Sequence, residues 1–401
     1  MSLDLSRLAE QVEQMAVDLK AEREGWNRRF QRAVAVFHEQ AADLDSLKSK
    51  IANAKTSWLV AGITAGLNTS CKPVPCPHDF AVLATDGSQV EVDRHGPARC
   101  YVINTGSVLL RYGGHPGAVL TSDPVLYAGN DDLVITDPAS SAEHPVERGL
   151  LGFKRAVAEC TGLADLAAES PAGLPSLALM DGTLIMWGLA GHAFPEYVRN
   201  ALLDKGFLPA LDRLRELSRQ GGPALASYIS LPRSTDIVNA LRIAVCPHQK
   251  PDCDRNCPRS APAARECDMF AGIQDRDLFS ALLETGERSA SFTSASSIVE
   301  KHYGPHQVRF FYLNTCEEIA RVEIPRWVEE DGGLDLVHTL VLEQCRLGGG
   351  YPVALAEAHE QAVVTAADRE QFRQLLEASL SSHHLRAVHS EKSLSKQTRW
   401  V

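Results

Sequence analysis

The sequence predicts an α/β fold in which a mixed sheet is flanked by helices, with a helical extension over residues 1–60 and a cysteine-rich insert at 242–270. Three observations predict it. Short apolar runs of strand type alternate with longer segments of helical periodicity. The first fifty residues carry a helical apolar stripe with no strand signal. Four cysteines crowd into one short polar, proline-containing stretch.

Leu5, Leu8, Val12, Met15 and Leu19 alternate steps of three and four, which puts them on one helix face at coiled-coil spacing. Trp26, Phe30, Val34, Phe37, Ala41 and Leu44 carry the stripe onward, so residues 5–51 read as one helix or a helical hairpin. Packing on its own domain and a dimer seam both suit such a stripe. A linker rich in Gly, Pro and Cys follows over 62–78, and the main domain is expected over 78–401. An apolar strand at 80–85 ends at Asp86-Gly87-Ser88. Extended segments at 99–104 and 107–112, parted by Thr105-Gly106, suit an antiparallel meander. A helix is predicted over 143–166. After a Pro/Gly loop, the buried strand 177–180 ends at Asp181-Gly182-Thr183. Three strands, a helix and another strand is the order in which ribonuclease-H-like folds begin. Beyond it come a helix at 208–219 with Pro209 in its first turn, a strand at 224–230, the cysteine insert, and strands at 308–313 and 319–324. Helices at 334–345 and 351–365, and a last one after Asp368, close the order.

Composition narrows the function classes. With 44% hydrophobic and 23% charged residues, the 401-residue chain builds a substantial core and is not a disordered chain. A formal charge of −11 excludes a uniformly basic surface, so any nucleic-acid contact must be local or bridged by metal ions. No apolar run reaches membrane-span length, and the polar start lacks a signal-peptide core, which points to a cytoplasmic protein without a membrane. In that compartment ten cysteines are not a disulfide framework.

A lone Asp-Gly is a favoured turn and carries little weight. Here it occurs twice, each time directly after an apolar strand. If the strands are neighbours, Asp86 and Asp181 project from one sheet edge. Their mutual repulsion would then call for a proton or a cation. Oxygen ligands favour Mg²⁺ or Mn²⁺, and paired ions activate water and stabilise the leaving oxygen of a phosphodiester. The glycine after each aspartate is expected to let substrate approach closely. A third acidic ligand is expected from the helix between them. Glu147, near its predicted start, is the choice, with Glu143 and Glu159 as competitors and a solvated surface glutamate as the alternative for each.

The segment Gly348-Gly-Gly-Tyr-Pro-Val-Ala-Leu-Ala-Glu-Ala-His359 places Tyr351 and His359 on a glycine-led helix. A neutral imidazole there can bind metal or carry a proton during hydrolysis. Taken in order, Asp86-Gly-Ser, Asp181-Gly-Thr-Leu, Phe310-Phe-Tyr-Leu, Arg321-Val-Glu-Ile-Pro and Tyr351-Pro-x-x-Leu-x-x-Ala-His359 resemble the NurA nucleases, over residues 80–399. The resemblance implies a Mn²⁺-dependent DNA nuclease of ribonuclease-H-like fold. Such a protein forms a ring-like homodimer and works with a HerA-type hexameric ATPase translocase in processing broken DNA ends. By that likeness Asp86, Asp181, a helix glutamate placed at Glu147, and His359 hold the catalytic metal, with Tyr351 close by.

Cys246, Cys253, Cys257 and Cys267 match neither standard zinc-finger spacing nor a ferredoxin run. Four thiolates suit tetrahedral Zn²⁺ or an iron–sulfur cluster, and structural Zn²⁺ is the choice. His248 is a possible replacement for one thiolate. Lys392, Lys396 and Arg399 make the tail basic, and Lys301, Arg309, Arg321 and Arg326 lie near the later strands. A few such residues facing a channel would guide a strand by its phosphates. Two other classes stay open: a non-catalytic DNA-clamping adaptor ring for a translocase, and a different phosphoryl-transfer enzyme.

Overall fold

The computed structural model describes residues 4–91, 98–171, 173–191, 193–257 and 265–385. The basic residues Lys392, Lys396 and Arg399 lie outside them. In chain order the main elements begin with α1 (Leu5–Ala42), α2 (Leu44–Ala52), β1 (Phe80–Val90), β2 (Tyr101–Tyr112) and β3 (Gly117–Tyr127). Then come α3 (Gly149–Ala168), β4 (Ser176–Asp181), α4 (Leu208–Arg219), β5 (Ala224–Ile229), α5 (Asp236–Ala244) and α6 (Asp275–Leu282). The last are β6 (Val308–Asn314), β7 (Ile319–Pro325), α7 (Leu334–Leu347), α8 (Val353–Ala362) and α9 (Ala366–Ser382). None of the described helices is long and apolar enough to cross a membrane. The chain divides into two compact units. One comprises Met1–Pro73, Ile229–Ser296 and Arg309–Val322; the other comprises Val74–Tyr228, Ser297–Val308 and Glu323–Val401.

In the second unit the strand order is β5-β4-β1-β2-β3. β1 runs antiparallel to β2, and β2 antiparallel to β3, whereas β1 and β4 pair in parallel, as do β4 and β5. Ala81, Val82, Leu83 and Ala84 of β1 and Leu177, Ala178 and Leu179 of β4 are wholly buried. Burial on both faces explains why these strands read as continuous apolar runs without alternation. The helix α3 packs its Leu150, Cys160, Leu163, Ala164 and Ala167 inward, a helical stripe of threes and fours.

Three sequence expectations change here. The first concerns Asp86-Gly87-Ser88, which is no turn: β1 continues through it to Val90. The second concerns Thr105-Gly106, which also lies inside a strand, so the two segments expected on either side are one strand, β2, and the meander is completed by β3. Gly106 is needed for close approach, because a Cβ there would stand 2.3 Å from the Ala358 carbonyl oxygen and 2.5 Å from the Ala362 nitrogen of α8. Around it Asn104 Nδ2 donates to the Ala362 carbonyl at 2.9 Å, and the Ser88 hydroxyl donates to the same oxygen. The third concerns the helix expected over 143–166, which starts only at Gly149. Glu143–Pro145 pairs with Val134–Thr136 as a two-stranded ribbon, and Arg148 takes a positive φ of 50° just before the helix.

Gly106→Ala is expected to destabilise the protein by about 2 kcal/mol, because backbone meets the new methyl and cannot rotate away. Urea unfolding reads this as a lower midpoint at unchanged slope. An unchanged midpoint would mean that α8 does not rest on this glycine.

The first unit gathers α1, α2, α5 and α6 around Phe37, Leu241, Phe270, Phe279, Phe292, Phe310 and Tyr312. Asp4 caps α1 by accepting from the Arg7 N–H, and Asp43 breaks the long N-terminal helix and caps α2 by accepting from Ser46. The stripe on α1 divides accordingly. Ala33, Val36 and Phe37 are buried in this core, whereas Leu5, Leu8, Val12, Met15 and Leu19 stay exposed. Asp275 accepts the N–H groups of Ile237 and Val238 at the start of α5 and a hydrogen bond from the Tyr312 hydroxyl at 2.7 Å. Burial, with Asp236 nearby, raises its carboxyl above the usual range. Arg321, one of the cations considered for phosphate contact, is buried in this core instead. Its guanidinium lies 3.6 Å from the Phe310 ring centre and 3.4 Å from Asp236 Oδ2.

Candidate active site

The parallel register of β1 and β4 pairs Thr85 with Met180, so Asp86 and Asp181 follow side by side at the same edge of the sheet. Asp181 ends its strand. Gly182 turns the chain with φ +79°, and its N–H donates to the Tyr228 carbonyl on β5 at 2.9 Å. Asp86 lies within β1, one of its oxygens accepting from the Gly87 N–H at 2.8 Å.

Two residues from the C-terminal segment cover these carboxylates. His359 Nδ1 is 2.7 Å from Asp86 Oδ2, and the Tyr351 hydroxyl donates to Asp181 Oδ1 at 2.9 Å. His359 is held in place by the seating of α8 on Gly106. Tyr351 is set by a tight reversal, in which Gly349 and Gly350 have positive φ and a Cβ at Gly348 would lie 2.0 Å from the Tyr351 carbonyl oxygen. The Tyr351 ring meets Tyr228 edge-on at 5.5 Å between centroids. The helix therefore begins at Val353, two residues after the predicted start. Gln344 of α7 accepts from the Ala354 N–H and donates to the Tyr112 hydroxyl, tying that start to β2.

The glutamate of α3 on which both Asp86 and Asp181 act is Glu159, whereas Glu147, the choice made from the sequence, is not on the helix. Glu147 precedes α3, in the segment between the short ribbon and the helix. Glu159 lies midway along α3 with its side chain only 12% exposed. Burial is the largest influence on its carboxyl. Arg155 opposes that influence, Asp86 and Asp181 add to it, and the pKa is pushed up to about 7. Gly87 makes the room: a Cβ there would meet Glu159 Oε1 at 2.5 Å. The glycine after Asp86 thus admits the protein's own carboxylate, where the sequence suggested substrate. Asp181 is also raised, first by desolvation and then by Asp86, with the Tyr351 hydrogen bond pulling the other way.

Arg155 Nε stands 3.0 Å from Glu159 Oε1, an ion pair one helical turn apart. A buried carboxylate whose ionisation is opposed by two neighbouring carboxylates is a fit for a hard divalent cation. Among the described residues no three His, Cys, Asp or Glu side chains converge closely enough to hold an ion as they stand. At Asp86 and Asp181 the tyrosine and histidine contacts occupy carboxylate oxygens that a cation would take.

A residue unforeseen from the sequence clamps the turn after Asp181. Glu323 of β7 is buried and accepts from the Thr183 hydroxyl at 2.8 Å and the Leu184 N–H at 3.0 Å. Tyr303 donates to the Leu184 carbonyl and accepts from the Met186 N–H, both at 2.9 Å. The available signal was a glutamate inside a strand that is apolar apart from Arg321, Arg321-Val-Glu-Ile-Pro, since a buried Glu is almost always paired.

Residues 80–364 match the family model of the NurA domain, a family of nuclease type associated with HerA and DNA. The match begins at the first residue of β1 and includes Asp86, Glu159, Asp181, Tyr351 and His359. No curated protein matches the chain.

Proposed function

Because the chain belongs to the NurA family, we propose that it is a divalent-metal-dependent deoxyribonuclease of ribonuclease-H-like architecture. It acts in the cytoplasm on DNA ends in double-strand break repair, with a HerA-type hexameric translocase. The observation that carries this reading is the meeting of Asp86, Glu159 and Asp181 from β1, α3 and β4 beneath Tyr351 and His359. Asp86, Asp181, Glu159 and His359 would hold Mn²⁺ or Mg²⁺, which when bound supplies charge for the phosphate and an activated water. The protein's own groups do the rest. Nδ1 of His359 is engaged by Asp86, which leaves Nε2 of an exposed ring either to bind the ion or, in place of that role, to take or give a proton at the substrate. Tyr351 holds the orientation of Asp181, and Glu323 holds the turn that follows it.

Purified protein is expected to degrade linear DNA with Mn²⁺, less rapidly with Mg²⁺, and not with EDTA. DNA binding without cleavage under every divalent ion would favour the adaptor-ring reading. Cleavage that persists in EDTA would refute the metal site.

The homodimer has support in β3, the edge strand of its sheet, which is exposed along nearly its whole length and carries Val119, Leu120, Val125 and Leu126. A long apolar edge is a template for pairing with another chain. Leu126→Glu is expected to shift the protein to monomer in light scattering. An unchanged mass would move the contact elsewhere, the exposed stripe of α1 being next in line.

A further inference from the structure

The four cysteines lie in the other unit, and the nuclease reading makes no use of them. Cys246 follows the end of α5, Cys253 opens a short helical turn, Cys257 closes it, and Cys267 lies on a 3₁₀ turn. All four are half-buried free thiols. The loop is pinned at its entry, where Lys50 Nζ donates to the carbonyls of Ala244 and Cys246. It is pinned again where the Lys55 N–H donates to Pro251 and the Cys253 N–H donates to Lys55. Little apolar surface holds the rest.

All four cysteines line one cavity of about 370 Å³, together with Trp58 and Arg242. A single tetrahedral zinc ion would need its four sulfurs about 3.8 Å apart, closed around a point. Here the thiols are arrayed around a space, and among the described residues no three ligands converge on one position. A larger centre suits that arrangement. The cavity also offers compensation for its negative charge. Arg242 packs over Trp58 at 5.1 Å, and its buried Nε has no hydrogen-bond partner, leaving a donor for a bridging or ligating sulfur.

We propose that Cys246, Cys253, Cys257 and Cys267 hold a [4Fe–4S] cluster, in place of the single zinc ion chosen from the sequence. The cluster orders a loop that cannot bury enough apolar area to order itself.

The test is iron and acid-labile sulfide analysis of the full-length wild type purified without oxygen, with absorption and EPR spectra before and after dithionite. Iron and sulfide at about four each per chain, with a visible absorption that bleaches on reduction, is the expected result. One zinc without sulfide, two irons, or no metal would overturn the proposal. Cys253→Ala should lose the iron, whereas Cys76→Ala, at an exposed cysteine outside the cavity, should retain it. Full iron in Cys253→Ala also overturns the assignment. If that variant aggregates, the wild-type analysis decides alone.

Discussion

Asp86→Ala and Asp181→Ala are each expected to lower Mn²⁺-dependent degradation of linear DNA by on the order of 10³-fold, the loss of several kcal/mol of charge stabilisation. The same substitutions should leave the melting temperature unchanged or slightly higher. Each removes one of two neighbouring like charges, and Asp181 is already raised by desolvation and by Asp86. Loss of activity with retained stability separates a chemical role from a structural one. Activity equal to wild type in either variant would sink the proposed site.

Glu159→Gln should be nearly as damaging, whereas Glu147→Gln, at a half-buried residue ahead of the helix, should leave activity within about twofold of wild type. A reversal of the two would return the ligand role to Glu147. Glu159 also predicts a pH dependence. Its carboxyl is raised from 4.5 to about 7 by burial and by Asp86 and Asp181, against Arg155. The folded state therefore binds this proton more tightly than the unfolded one. Its stabilising contribution, on the order of 3 kcal/mol, is full below pH 4.5, is lost as pH rises towards 7, and changes no further above it. A cation must displace that proton. Apparent Mn²⁺ affinity, read by calorimetry, should rise up to about tenfold per pH unit below 7 and level off above. Glu159→Gln should flatten both profiles. A flat wild-type profile would place the proton elsewhere.

Much of this site was legible because its signals are local. An apolar run stopping at Asp-Gly is visible in a few residues, and so is a glycine run followed by Tyr-Pro and His. What was missed depends on partners distant in sequence. The Thr105-Gly106 pair looks like a turn, and only α8, some 250 residues later, explains the glycine. The strand β3 carries no alternation because both its faces are exposed, so it left no period to read. The choice between Glu147 and Glu159 turned on where a helix starts, the least reliable boundary in any sequence reading. Glu323 lay within a quoted motif, but its role needed the turn it holds.

The pairing of Asp86 with His359 joins residues 273 positions apart. At ordinary rates of synthesis, on the order of tens of seconds separate the emergence of the two side chains. During that interval the two aspartates have been made while His359 has not. The unit that holds them is assembled from three separate stretches of chain, so its last piece closes it. A ribosome-bound chain, or one truncated before α8, would be catalytically inert, and the order of translation itself would keep an unfinished nuclease from attacking DNA.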